Sequence, residues 1–354
     1  LPIVRPLLAS RSQARDRLPR GLTALSTVLL ACNSSPAEPH ALGFDASVRD
    51  GPQLQATTQP VLLTSADEGI SLAVDGSNVY WQGPGGSIFD CPLGGCPGGQ
   101  PTQLTSLVGA TTLLQSLVTA GGDVIFVSEA GVTSLDPRAP SPATTLYPSA
   151  QGTVSALATD GAELYLVASA GTDGGESTAT VVACPIHGAC SSPRTLYTST
   201  FGLGPLAVAG SDVYFVEYGD SAEIRAVPSG GGSPRTLCQH PNEGPAYALV
   251  VAGGYAYVTG VAGPTSIVRC AIAGAGGWGT FTHDDAPYGL ATDGANLYWT
   301  NYVPTTGSVA GCALGPSCPA STLVATGQAS PFAIALSPAS VFWTTSTSVY
   351  RVDR

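Results

Sequence analysis

The sequence contains no methionine and no lysine, and only 10% of its residues are charged. Without lysine there is no Schiff-base or ammonium-based nucleophile to consider. No GxSxG elbow, phosphate-cradling glycine loop or paired Cys/His nucleophile occurs either, and no pattern implies a cofactor. Basic charge is scarce: 13 basic residues face 24 acidic ones, for a net charge of −11. Five of the basic residues but only Asp16 of the acidic ones precede Cys32, so the chain from Cys32 onward carries 8 against 23, or −15. Such a surface repels phosphate backbones, which argues against a nucleic-acid partner. The one apolar run near the N-terminus, Gly21 to Ala31, is 11 residues long and too short to cross a bilayer.

What the chain has in quantity is turn-forming residues, 44 Gly and 29 Pro, and a phrase that recurs. LAVDGSNVY (Leu72 to Tyr80) returns as LVTAGGDVI from Leu117, LATDGAELY from Leu157, LAVAGSDVY from Leu206, LVVAGGYAY from Leu249, LATDGANLY from Leu290 and IALSPASVF from Ile334. The last positions, Tyr80, Ile125, Tyr165, Tyr214, Tyr257, Tyr298 and Phe342, are spaced by 45, 40, 49, 43, 41 and 44 residues. Apolar, β-branched or aromatic positions flank a central Gly or Pro, which reads as a hairpin, with Asp75-Gly76, Asp160-Gly161 and Asp293-Gly294 tolerating positive φ at the turn.

Each phrase is followed by a third short run, such as SIFDC from Ser87, SIVRC from Ser266 or SVYRV from Ser348. A turn and a fourth run come next: TQLTS from Thr102, TTLYP from Thr144, RTLYT from Arg194, RTLCQ from Arg235, GTFTH from Gly279 and STLVA from Ser321. Four strands at a period in the forties predict an all-β fold, a seven-bladed β-propeller over residues 60–354. The seventh copy stops after its third strand, whereas an orphan strand, Pro60 to Ser65, precedes the first. The simplest closure lays that N-terminal strand on the outside of the last blade, leaving no open edge.

Four Arg between positions 11 and 20 precede the apolar run, as in a signal peptide. The run ends in Leu29-Leu30-Ala31-Cys32, which resembles a bacterial lipobox. The resemblance implies cleavage of residues 1–31, a lipid on Cys32 and export to the cell envelope, and Asn33 in place of the sorting Asp favours the outer membrane. Residues 32–59 are rich in Ser, Pro, Ala, Asp and Gln without periodicity and read as a flexible tether.

Of the eight remaining cysteines, six fall in close pairs between third and fourth strands: Cys91/Cys96, Cys184/Cys190 and Cys312/Cys318. In an exported chain these read as disulfides, since pairs on separate blades cannot pool into one four-ligand zinc site. Each short loop is expected to brace its own turn. Cys238 and Cys270 are left over, with a bridge between neighbouring blades open to them.

Tyr298-Trp299-Thr300-Asn301 is similar to the YWTD signature of low-density-lipoprotein-receptor-type propellers, with Tyr80-Trp81 and Phe342-Trp343 as weaker echoes. It departs in Asn301, in the single complete tetrad and in blade number. The phrase around Asp75 and the Cys91 turn more closely resemble secreted bacterial β-propeller lipoproteins of the myxobacterial kind. That resemblance implies fold and secretion and transfers no catalytic residue.

Ligands of propellers gather on the face that carries the d-to-a and b-to-c connections. Two positions before each phrase, at that face, stand Ile70, Gln115, Ser155, Gly204, Tyr247, Tyr288 and Phe332. The three successive aromatics are read either as packing between blades or as a stacking platform for a sugar or other flat ligand, with Asn242, Glu243 and Asp285 placed to hydrogen-bond it. An enzymatic alternative is a metal-assisted lyase or hydrolase using His240, His283, Glu243, Asp284 and Asp285. Against it, both histidines follow fourth-strand apolar residues closely, which points to the outer rim. The reading favoured is a non-enzymatic, lipid-anchored envelope protein that binds a protein, peptide or glycan, with a purely structural envelope role as the remaining alternative.

Overall fold

A computed structural model describes residues 59–354, apart from 66–68, 70, 107–115, 172–176, 242–243, 262 and 275–276. The expected signal segment, Cys32 and most of the expected tether lie outside the described residues. The described strands form seven four-stranded antiparallel sheets. Blade 1 comprises Ser71–Val74, Asn78–Gln82, Ile88–Pro92 and Thr102–Thr105, here strands a to d. Blades 2 to 6 repeat the order up to Thr322–Gln328. Strands a touch their neighbours in a closed ring in which Ser71–Val74 meets Ile334–Leu336 of blade 7. Closure is as expected: Val61–Ser65 pairs antiparallel with Ser348–Asp353, Val61 opposite Arg351 and Ser65 opposite Ser348, and supplies blade 7 with its fourth strand.

Why the phrase ends in an unbroken apolar run follows from the packing. Among the described residues the buried apolar side chains fall into seven clusters, one at each blade junction. Successive residues of a strand face opposite sides. Tyr80 therefore enters the junction of blades 1 and 2, and Val79 and Trp81 enter that of blades 7 and 1. A strand buried on both faces needs apolar residues at every position, not at alternate ones.

The Asp-Gly turns work differently from the sequence expectation. Gly161 and Gly294 have φ of 87° and 86°, but Gly76 does not enter the left-handed region and neither does any of the three Asp. The aspartates act as caps. Asp75 Oδ1 accepts the backbone N–H groups of Ser77 and Asn78, both at 2.7 Å, and its Oδ2 accepts the Tyr80 hydroxyl at 2.8 Å. Asp160 does the same for Ala162, Glu163 and Tyr165, and Asp293 for Ala295, Asn296 and Tyr298. The Asp and the Tyr five residues later are thus one device, with the hydroxyl locking the carboxylate that closes the turn.

All three expected disulfides are present, and Cys238 pairs with Cys270. Each does more than brace its own turn. The Cys190 N–H donates to the Leu146 carbonyl of blade 2 at 2.7 Å, and the Cys318 N–H to the Phe281 carbonyl of blade 5 at 2.6 Å. The Thr64 hydroxyl of blade 7 donates to the Gly99 carbonyl just beyond Cys96 at 3.2 Å. Each braced turn reaches the outer strand of the preceding blade, and Cys238–Cys270 joins strand d of blade 4 to strand c of blade 5 directly.

Candidate binding face

On the face bearing the d-to-a and b-to-c connections, the position two residues beyond the phrase is polar in blades 1, 5, 6 and 7. In blades 5, 6 and 7 this is Thr259, Thr300 and Thr344, each 0% exposed. Their hydroxyls accept the backbone N–H groups of Ala248, Gly289 and Ala333 at 3.1, 2.9 and 3.1 Å. Thr259 then donates to the Tyr288 carbonyl and Thr300 to the Phe332 carbonyl of the next blade, each at 2.7 Å. A buried threonine of one blade therefore fixes the backbone from which the next blade's aromatic ring projects. In blade 1, Gln82 occupies the position, accepting from Ser116 at 2.9 Å and donating to the Val127 carbonyl at 3.1 Å.

The three aromatics expected at the face are brought together, but not as separate platforms. Tyr247 and Tyr288 stack on one another with centroids 4.5 Å apart and planes 22° apart, and Phe332 lies 4.6 Å beyond Tyr288. Sequence reasoning missed Tyr302, which sits in the b-to-c connection of blade 6. Its centroid is 5.4 Å from that of Tyr288 and 5.7 Å from that of Phe332, and the residue is 40% exposed. The inner rings are half-buried, so the cluster both packs the junctions and presents an aromatic edge to solvent. Burial raises the Tyr288 hydroxyl above the ordinary tyrosine value, and the neighbouring Tyr247 and Tyr302 hydroxyls add to the shift.

Blade 4 joins the cluster by a route hidden in the sequence. At the ring position it has Gly204, and a Cβ there would lie 2.2 Å from the Tyr218 hydroxyl. The glycine makes room for Tyr218, from the end of strand b, whose hydroxyl accepts the Ala246 N–H at 2.9 Å. Burial pushes that hydroxyl up to about 12. Aromatic rings therefore occupy this face across four consecutive blades.

Among the described residues only Ala286 and Ser330 combine a side chain with positive φ, at 57° and 49°. Each stands two residues before a cluster aromatic and directly before a proline. The b-to-c connection of blade 6 is tied to both: the Tyr302 N–H donates to the Ala286 carbonyl at 2.8 Å, and the Ser330 N–H to the Val303 carbonyl at 3.0 Å. Left-handed backbone at a non-glycine costs on the order of 1–3 kcal/mol per residue and gathers at functional surfaces.

The other candidates part company. Asn242 and Glu243 lie outside the described residues. Asp285 is exposed, and its N–H donates to Asp284 Oδ1. Asp284 belongs to the scaffold, since its Oδ2 accepts the Trp299 indole N–H at 2.8 Å. His240 and His283 end the outer strands of blades 4 and 5. His240 meets the Trp278 ring edge-on at 5.2 Å, and His283 Nδ1 bonds the Ser266 hydroxyl at 3.0 Å. Among the described residues no three His, Cys, Asp or Glu side chains converge as metal donors.

No protein-family model matches the sequence, and no curated protein does. Among solved structures, the chain is similar to the computationally designed Ika8 protein, with a TM-score of 0.55 and 15% identity, covering 83% of this chain and 99% of that one. It is also similar to a prolyl endopeptidase, with a TM-score of 0.54 and 11% identity, over 82% of this chain and 51% of that one. A chain of a nidogen/laminin complex matches at a TM-score of 0.43 and 16% identity, over 72% of this chain and 80% of that one. At these identities the two likenesses with TM-scores above 0.5 bear on the fold and on nothing finer.

Proposed function

We propose that this propeller is a non-enzymatic binding module of a bacterial cell envelope, anchored through a lipid on Cys32, that captures a peptide, protein or glycan on its aromatic face. The observation that carries the reading is the cluster of Tyr247, Tyr288, Tyr302 and Phe332, whose loop of blade 6 is tied to two strained non-glycine residues. Junction packing alone has no need of strain or of a 40% exposed tyrosine at its edge. A ring contributes on the order of 1 kcal/mol to stacking, so single-site affinities fall in the micromolar to millimolar range. The lipobox resemblance supports the anchor, and the acidic surface turns the module away from nucleic acid.

Two experiments test this. Binding of the full-length protein to peptide and glycan arrays is expected to yield ligands that a Tyr288→Ala/Tyr302→Ala variant no longer retains while it keeps its fold by circular dichroism. Ligands retained equally by the variant, or no ligand on either array, would remove the reading. Separately, radiolabelled fatty acid is expected to be incorporated in a bacterial host and lost on Cys32→Ala; no incorporation removes the anchor.

A further inference from the structure

Beside the aromatic cluster, blade 4 holds a cavity of about 180 Å³ that no repeat motif announces. Phe201 forms one wall and Glu217, Asp220, Glu223 and Gln239 line the rest. Phe201 comes from the connection entering blade 4 and Asp220 from its b-to-c turn, so the cavity opens on the face that carries the tyrosines. Glu217 and Tyr218 are adjacent on one strand and point to opposite sides. One residue serves the cavity, and the next reaches Ala246 beside Tyr247.

The Phe201 ring is 50% exposed and lies against Gly219, where an added Cβ would be 3.5 Å from three ring atoms. Glu217, 5% exposed, accepts hydrogen bonds from Tyr197 at 2.8 Å and from Ser199 and Arg225. Burial alone would raise its carboxyl, but these donors prevail and hold it below the ordinary value, so the cavity floor is ionised. Glu223 accepts from Thr236 at 3.0 Å and from Gln239. Asp220 is exposed at the rim and has no partner among the described residues. Among the described residues one guanidinium stands against these three carboxylates: Arg225 pairs with Glu217, its Nε lies 3.8 Å from Glu223, and it sits over the Tyr197 ring at 5.1 Å. Two negative charges are left in excess among the described residues, beside an exposed aromatic ring.

We propose that this cavity receives the cationic side chain, arginine or lysine, of a peptide lying across the aromatic face. Charge and shape both select it. The volume is about six times a water's share of the liquid, enough for a guanidinium or ammonium with part of its stem. The cation compensates the excess carboxylates while Phe201 offers it a ring face. A neutral sugar would desolvate those carboxylates without compensation. A calcium ion would need six to eight oxygens, and the Glu217 oxygens already accept donors. The proposal rests on the binding reading above and narrows it to a basic peptide.

The test is an amide NMR titration of the full-length protein with Ac-Gly-Arg-Gly-NH2 and Ac-Gly-Lys-Gly-NH2, using Ac-Gly-Gln-Gly-NH2 and calcium chloride as controls. Both basic tripeptides are expected to shift the Gly219 and Ser221 amides and the Gln239 side chain, increasingly so at low salt. Asp220→Asn with Glu223→Gln is expected to weaken binding at least about tenfold, and Phe201→Ala by several-fold, through loss of charge and of the ring face. An equal response to the glutamine peptide, the same shifts with calcium alone, or unchanged binding by the charge-removed variant overturns the proposal. The tripeptides do not require the tyrosine cluster. Silence here with array ligands retained therefore removes the cavity assignment alone, whereas tripeptide binding with empty arrays removes the aromatic reading alone.

Discussion

Blades 2 to 4 and blades 5 to 7 share one phrase and one topology, yet they join to their neighbours by different chemistry. Two residues beyond the phrase, blades 2, 3 and 4 have Val127, Val167 and Val216, whereas blades 5, 6 and 7 have Thr259, Thr300 and Thr344, all buried. The valine arc is held by apolar contact, which is non-directional and leaves the connections above it free to vary. The threonine arc is held by hydrogen bonds that name their partners and fix the backbone of Tyr288 and Phe332. Both non-glycine strained residues lie in the second arc. Directional bonds therefore lie under the ring-position aromatics Tyr247, Tyr288 and Phe332, and apolar packing under blades 2 to 4, which lack one. The Cys238–Cys270 bridge crosses the seam between the two arcs.

The largest expected contrast is between two aromatic truncations. Phe215→Ala, in the fully buried valine arc, should cost about 3–5 kcal/mol by denaturant unfolding. Tyr288→Ala, half-buried in the cluster, should cost about 1–2 kcal/mol and abolish ligand capture. Equal costs would erase the distinction between core ring and presented ring. At the seam, Cys238→Ser/Cys270→Ser opens a loop of 32 residues' separation and should cost about 4 kcal/mol, against about 2 kcal/mol for the Cys184/Cys190 pair. A reversed order would show that the braced turns, not the seam, carry the ring.

A smaller effect separates the two chemistries directly. Thr300→Val keeps the shape but leaves the buried Gly289 N–H and Phe332 carbonyl without the hydroxyl, at a cost of about 1–3 kcal/mol. It should also weaken ligand binding, since Phe332 loses its anchor. Val216→Thr should destabilise by burying a hydroxyl in an apolar junction and leave binding unchanged.

The smallest effect concerns the turn caps. In Asp160 and Asp293 burial pushes the carboxyl up, but the backbone N–H groups they accept outweigh it and hold both below the ordinary value. A lowered folded-state value means that the stabilisation is complete above the unfolded value of about 4 and is lost as pH falls through the folded one. Hydrogen exchange of the blade 3 and blade 6 turns should therefore accelerate below about pH 4. The turns of blades 2, 4 and 5, with Ala120, Ala209 and Ala252 in the Asp place, should lack this acid response. A uniform response across blades would rule out the caps as its source.

The fold was legible because its determinants are local. Phrase, turn and strand spacing recur within each stretch of forty-odd residues, and the orphan strand Val61–Ser65 announced closure by its lack of a partner. Cys91/Cys96, Cys184/Cys190 and Cys312/Cys318 were legible for the same reason, since a short loop holds the pairs together. Cys238 and Cys270, far apart in sequence, could be settled only by how two blades meet.

The candidate binding face was half legible. Tyr247, Tyr288 and Phe332 share a repeat position, whereas Tyr302 and Tyr218 arrive from the ends of strands b, and Gly204 looked like a gap because its occupant comes from elsewhere. The strain at Ala286 and Ser330 has no signature beyond the proline that follows each. The one available clue was the threonine two residues past the phrase, present in the three blades that have Tyr247, Tyr288 or Phe332 at the ring position and absent from the other four.

The central claim is that ligands are held on the face where Ala286–Tyr288, Tyr302–Val303 and Ser330–Phe332 meet. Amide hydrogen exchange of the full-length protein, with and without an array-selected peptide, tests it most directly. Protection is predicted at those three segments and at Gly219–Ser221, with little change in the opposite-face turns capped by Asp75, Asp160 and Asp293. Protection confined to those capped turns, or to blades 1 to 3, would contradict the account.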